Sequence, residues 1–402
     1  MKRPILLTAL LCTTVAAAPA VAQDRLVGLR ALSGGVVFEQ VRFGGTGLLQ
    51  AGSAGLDSMR VQSATQLSVP VSASMPIGQS WTMDLTTVYA VGEVTYSAPG
   101  GGAEQTAALS GISDVRVRAS GRFLDDALII TAGVNAPTGQ TELNLEQRTA
   151  LRVLAAPALA MGSVPVGAGA SGTLGLLTAH QVGDWALAAG VAYEYRGSYQ
   201  PVAALAAGAP SADFRPGSVV RVSAGADGLI GQHRLSVTAM GDIYQPDVLR
   251  AGRPVANVRL GPVIGGDVQL QVAAPRLRDF IVWSAARYRT NFSRDGFTVD
   301  NSNGVYLEGG ARTGVPVGIR TDIVLALDGR YHSGLAIDEG LPTSGVTSGT
   351  MTLGLSRRLG GLSLQPFMRG SLGRVQARGD ARDSQRANFS GLAGGLVIIS
   401  RF

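Results

Sequence analysis

The chain has 402 residues, of which 46% are hydrophobic, a composition that excludes a disordered polymer. Its 34 basic and 28 acidic residues leave a formal charge of +6 with no basic cluster, which excludes a nucleic-acid-binding surface. The one cysteine is Cys12 and no histidines stand three or four residues apart, so neither a disulfide framework nor a metal or other cofactor is expected.

The first residues read as an export signal. Lys2 and Arg3 form a positive n-region, Ile5 to Leu11 an apolar core, and Ala20-Val21-Ala22 a small-residue cleavage site. Cys12 follows Leu11, where a lipoprotein cysteine needs a small neighbour, so a plain signal over 1–22 is expected. Residues 23–402 then form a single domain, because no linker divides them. Outside the signal no apolar run reaches 18 residues, so helical membrane spans are excluded.

From about residue 35 the chain alternates with period two, the mark of half-apolar strands. Gly35 to Phe43 supplies one strand. Leu67, Val69, Val71 and Met75 share a face of the next, and after a short turn Trp81, Met83, Leu85, Tyr89 and Val91 share a face of its partner. Val115, Val117 and Ala119 oppose Asp114, Arg116 and Arg118, before a Leu124-Asp125-Asp126 turn and a strand over 126–136. Short turns recur near 181–183, 230–232, 275–278, 316–318 and 359–361. Longer loops lie at about 97–109, 137–164, 198–215, 246–256, 292–302, 333–346 and 378–386. Seven tight hairpins, the closing strand 387–402 and its N-terminal partner make sixteen strands. The alternative is fourteen, with 23–59 as a plug.

Short turns at one end and long loops at the other predict an all-β, antiparallel, up-and-down transmembrane barrel. Aromatic spacing separates this from a soluble sandwich. Trp81 and Tyr89, Trp185 with Tyr193 and Tyr195, and Phe280 and Tyr288 share faces eight to ten residues apart. On tilted strands that spacing spans about 20–25 Å, the height of an outer-membrane apolar band between aromatic girdles. The apolar faces therefore meet outer-membrane lipid and the polar faces line a lumen. The pore-lining candidates are Asp84, Asp114, Arg116, Arg118, Arg122, Arg287, Arg289 and Arg320, with Arg116, Arg118 and Arg122 forming a ladder on one face. They act either as ion pairs bracing the wall or as the lining of a wet channel with a basic excess.

The longest loop, 137–164, carries a helix signal. Asn144 is the N-cap and Gln147 the capping-box partner, followed by helix formers to Pro157. If the loop folds inward, Arg148, Leu151, Arg152 and Leu154 constrict the pore; if not, it caps the exterior.

Gly111, Asp114, Pro137, Thr138 and Gly139, within GISDVRVRASGRFLDDALIITAGVNAPTG, resemble a hairpin of the Gram-negative aromatic-degradation (phenol meta-pathway) outer-membrane transporter family. The resemblance implies a channel-like barrel for small apolar or aromatic compounds. No Asn-Pro-Ala kink of the related fatty-acid transporters occurs. The chain thus reads as an outer-membrane channel for passive or substrate-selective passage of a small-molecule solute, not an enzyme. The competing reading is a non-transport barrel, either a loop-borne adhesion scaffold or a hydrolase built on His332 with Ser333 and Asp338. The chain closes on SGLAGGLVIISRF, with Leu392, Leu396, Ile398 and Phe402 on one face. A terminal aromatic after alternating apolar positions resembles the signal read by the barrel-assembly machinery, a second expected partner.

Overall fold

The computed structural model describes residues 30–44, 48–49, 59–97, 102–156, 159, 161, 165–200, 213–251, 253–333, 345–376 and 386–401. The export signal expected over 1–22, Asp338 and Phe402 lie outside these residues.

In chain order the elements are β1 (Ala31–Gly44), β2 (Leu48–Leu49), β3 (Met59–Ile77), β4 (Trp81–Ser97), β5 (Glu104–Ile112), β6 (Val115–Phe123), β7 (Leu128–Ala136) and helix α1 (Leu145–Leu154). There follow β8 (Ser171–Val182), β9 (Trp185–Arg196), β10 (Asp213–Arg215), β11 (Val219–Ile230), β12 (His233–Tyr244), β13 (Asp247–Ala251) and β14 (Arg253–Arg259). The remainder are β15 (Val263–Val272), β16 (Arg278–Arg289), β17 (Ser293–Arg294), β18 (Phe297–Thr298), β19 (Gly304–Gly318), β20 (Thr321–His332), β21 (Gly345–Leu359), β22 (Leu362–Gln376) and β23 (Arg386–Arg401).

Sixteen antiparallel staves close into a barrel, with β5 and β6 together making one of them. Closure is made by β1, which pairs with β3 on one side and with β23 on the other, from Ala31↔Arg401 to Gly44↔Asn388. The sixteen-strand expectation holds, and the plug alternative fails because 31–44 is wall.

Alternation sorts the side chains. Leu32, Val36, Phe38, Tyr89, Val191, Met351, Leu372 and Leu392 point outward and are exposed, as an apolar belt in contact with lipid requires. Outward Trp81 lays its ring over Gly121 of β6 and meets Phe123 edge-on, with centroids 5.7 Å apart. Trp185 covers Gly228 of β11 in the same way. Trp81 and Trp185 each open the strand after a short turn, so this part of the girdle rests on glycines that leave room for it. The turns demand left-handed backbone, which Gly183 and Gly231 supply at φ 59° and 62°. The Leu124–Asp126 turn reaches the same region without glycine, with Asp126 3.7 Å from Arg122.

Four expected loops hold strands. Residues 104–112, read as part of a 97–109 loop, pair with the upper half of β4, while β6 pairs with its lower half. Glu104 to Ala108 offer little apolar alternation, so pairing with β4 decides their conformation. The loops near 198–215, 246–256 and 292–302 contribute β10, β13, β14, β17 and β18 to a five-stranded sheet standing above the barrel rim. The stave made by β5 and β6 breaks at Ser113 and Asp114. Among the described residues β5 pairs with no strand on its outer edge, where the chain between β7 and β8 takes over.

Candidate functional site: the lumen and its inward helix

The segment between β7 and β8 is tied down at its base by Asp114. This buried carboxylate accepts hydrogen bonds from the backbone N–H of Gly139 (2.9 Å) and Ala168 (2.7 Å) and from Asn135 Nδ2 (2.9 Å). Thr138 Oγ1 accepts from the N–H of Val115, and Gly167 N donates to Gln140 O at 2.9 Å. Gly139 and Gly167 meet so closely that a Cβ on either would strike the other. The residues carrying the family resemblance, Asp114, Thr138 and Gly139, thus converge on one joint where the loop leaves the wall.

From this joint the chain forms α1 as its capping signals predict. Asn144 accepts from Gln147 N at 2.8 Å and Gln147 Oε1 accepts from Asn144 N at 3.1 Å. Glu146 in the first turn and Arg152 in the last complement the helix dipole. The apolar face is short: Thr149, Ala150, Val153 and Leu154 are buried. They pack on Ala64, Gly92, Val94, Ala107 and Leu109, which alternation places on the inner side of β3, β4 and β5. The apolar cluster continues through Val41, Val346, Val375 and Phe389 on the inward faces of β1, β21, β22 and β23. At the long-loop end, therefore, one sector of the inner wall is apolar and covered by a helix.

The constriction candidates divide between two sides of α1. Leu154 joins the apolar cluster, whereas Arg148, Leu151 and Arg152 face a cleft of about 260 Å³ with Thr141, Leu143, Val166, Gly167 and Tyr199. Burial, and then the neighbouring Arg148 cation, make Arg152 less basic than usual.

The rest of the inner wall is charged. On β4 and β6, Asp84 and Arg118 face each other at 3.6 Å with 32% and 37% of their side chains exposed, so water reaches them inside the barrel. Arg116 lies on the same face and is exposed; Arg122 pairs with Asp126 near the turn. Across the lumen, Arg221 binds Asp242 through both guanidinium nitrogens at 2.7 and 2.9 Å. Arg234 pairs with Asp227 at 2.8 Å, Arg278 with Asp322 at 3.2 Å, and Arg369 with Glu39. Arg287 and Arg289 point inward from β16, whereas Arg320 sits in the exposed turn before β20, at the rim. Asp114 lies at the loop joint, removed from the wall facing the lumen. The inward residues that the linear chain did not single out include Glu39 and its partner Arg369, Asp242, Arg234 and Arg278, because one charge in an alternating strand carries no signal of its mate.

His332 is buried on the inward face of β20, with its ring 6.3 Å from that of Tyr306. Ser333 Oγ accepts from Val305 N at 2.9 Å, which commits that oxygen to the backbone. Among the described residues no three His, Cys, Asp or Glu side chains gather as metal ligands.

The sequence matches no protein-family model and no curated protein. Solved outer-membrane channels align with it over most of their length. OprB of Pseudomonas putida is 12% identical, with 94% of this chain and 96% of that one covered and a TM-score of 0.40. OccK1 of Pseudomonas aeruginosa is 9% identical, with 92% and 99% covered and a TM-score of 0.44. A FadL homologue of Pseudomonas aeruginosa is 12% identical, with 92% and 90% covered and a TM-score of 0.41. At these values the likeness carries no residue-by-residue correspondence.

Proposed function

We propose that this chain is a channel of a Gram-negative outer membrane that passes small solutes through a hydrated lumen narrowed by α1. The observation that carries the reading is the opposition of two surfaces on one closed wall. The outer surface is an exposed apolar belt, and the inner surface bears ion pairs that keep access to water. A soluble protein has no use for that belt. A sealed barrel has no use for half-exposed charges inside it, since unsolvated charge is costly unless fully paired.

Small apolar or aromatic solutes fit the apolar sector around α1 and the resemblance of the 111–139 hairpin. Recognition by the barrel-assembly machinery fits Phe402 following the outward face of Leu392, Leu396 and Ile398. A catalytic role for His332 finds no support in its buried, ring-packed position.

The test is purified, folded protein in planar bilayers and in proteoliposomes. Stepwise conductance and solute-induced swelling are expected. A heat-modifiable barrel that gives neither would overturn the channel reading.

A further inference from the structure

Most inward arginines in this lumen face a carboxylate, but two neighbouring ones do not. Arg287 and Arg289 are alternate residues on β16, so they share its inner face with Cα atoms about 6.6 Å apart. Neither makes an ion pair among the described residues. Arg287 lies over the ring of Tyr306 on β19, its Cζ 5.7 Å from the centroid. Arg289 lies over Tyr244 of β12 at 5.9 Å. A ring face holds a guanidinium in place without neutralising it, and it leaves the in-plane N–H donors unspent. Arg287 Nε makes no hydrogen bond but is buried, so it is not one of the donors a solute in the lumen would meet.

The nearby acids are already engaged. Asp242 is held by both nitrogens of Arg221, and Glu308 accepts the hydroxyl of Tyr306. On the neighbouring strand β15, Gly265 stands opposite Arg287 and Val263 opposite Arg289, while the inward acid Asp267 lies one same-face position further along, opposite Ala285. A Cβ on Gly265 would lie 2.9 Å from Arg287 Cγ, so the absence of that side chain lets the arginine stem lie against the wall. Seven staves away around the barrel, Arg116 also faces the lumen and makes no ion pair among the described residues.

We infer that Arg287 and Arg289 form an anion station in the lumen, and that the channel passes small organic carboxylates in preference to neutral or cationic solutes of equal size. The inference rests on the channel reading above and names its solute class. The chemistry is simple. Two guanidiniums held over rings on one stretch of inner wall present N–H donors to the lumen, and a carboxylate accepting from them relieves the cost of leaving them without an ion pair. In a lumen narrowed by α1 and bounded by low-dielectric wall, two cations outside any ion pair also bias the pore against cations.

The experiment uses the full chain reconstituted in planar bilayers under a potassium chloride gradient, followed by addition of benzoate, benzyl alcohol or benzylamine. The wild type is expected to favour chloride over potassium by about threefold or more, a bias of the kind lumen charge produces. Benzoate should interrupt the current where the neutral and cationic analogues do not. The double variant R287Q/R289Q should lose both the chloride preference and the benzoate response, and R287K/R289K should keep the preference while weakening the benzoate response. The control R42Q/R374Q removes the same charge from the outward face and should leave both unchanged. Heat-modifiable mobility establishes that each variant has folded. Conductance without chloride preference, or a preference and a benzoate response that survive R287Q/R289Q, would overturn the station while leaving the channel. Absence of any conductance would overturn both.

Discussion

Leu154 of the inward helix occupies the space that a side chain on Gly92 would need, its Cδ1 lying where a Cβ on β4 would stand. This contact fixes where α1 rests, because Gly92 is the gap between inward Ala90 and Val94 through which the helix reaches the wall. A glycine in mid-strand weakens the strand, and here the helix fills the vacancy. Gly92→Leu is therefore expected to expel α1 from its seat. Leu154→Ala should leave a cavity and weaken docking by about 2–5 kcal/mol, the range for buried leucine truncations. Both variants should show larger or noisier single-channel conductance. Unchanged currents in both would mean that α1 does not narrow the conducting path.

Removing the helix outright gives a second test. Gly167 N donates to Gln140 O, so residues 140 and 167 are already adjacent, and a two-glycine bridge from 141 to 165 spares the joint. Deleting 142–164 in this way is expected to raise conductance, with the barrel still heat-modifiable. If conductance stays at the wild-type level, the segment lies outside the conducting path.

The joint itself depends on Asp114, which collects three hydrogen bonds from two separate stretches of chain. Hydrogen bonds to a charged group contribute about 1.5–3 kcal/mol each, and Asp114→Ala removes all three acceptor contacts. The barrel is expected to assemble, since β6 and β7 pair independently of this residue. The 137–170 segment should become cleavable by added protease in intact outer membranes. Asp114→Asn, which keeps one carbonyl acceptor, should be intermediate. Protection equal to wild type in the alanine variant would assign the anchoring elsewhere.

Asp242→Asn tests the charge balance of the lumen in the opposite sense to the arginine variants. Its carboxylate is nearly buried and bound by Arg221, so breaking the pair is expected to cost stability, towards the low end of about 3–5 kcal/mol because Arg221 retains water access. It also releases Arg221, which stands at the register level of Arg289 with positions 242 and 263 between them across β11, β12, β15 and β16. Chloride preference in reversal-potential measurements should rise. A fall would show that lumen charge does not govern permeation.

Phe402 offers a test of assembly that is separate from transport. Its deletion is expected to reduce the amount of heat-modifiable barrel in the outer membrane several-fold. Protein that does insert should conduct normally, since the lumen-facing residues are untouched. Full yield of the truncated chain would exclude the assembly reading.

The wall of this protein is legible in the linear chain because β alternation is a local property. Whether Leu67 or Ser68 faces lipid follows from a period of two, and each short turn resets the count visibly. The same locality exposed α1, since Asn144 and Gln147 signal a helix start within four residues. Strand 104–112 escaped detection because its small and polar residues take their conformation from β4, a partner some fifteen residues away in the chain.

The site was less legible for a related reason. Alternation places Arg221, Arg287 and Arg289 on the lumen side without saying which of them meets an acid. That depends on register across strands: Arg221 lies opposite Asp242 and is neutralised, while Arg287 lies opposite Gly265 and is not. In the same way Asp114 reads as one more lumen acid until the chain from 135 to 168 closes around it. Local periodicity thus decides which face a residue takes. Only the closed barrel decides what stands across from it, because ion pairing and packing act through space between strands that the chain order keeps apart.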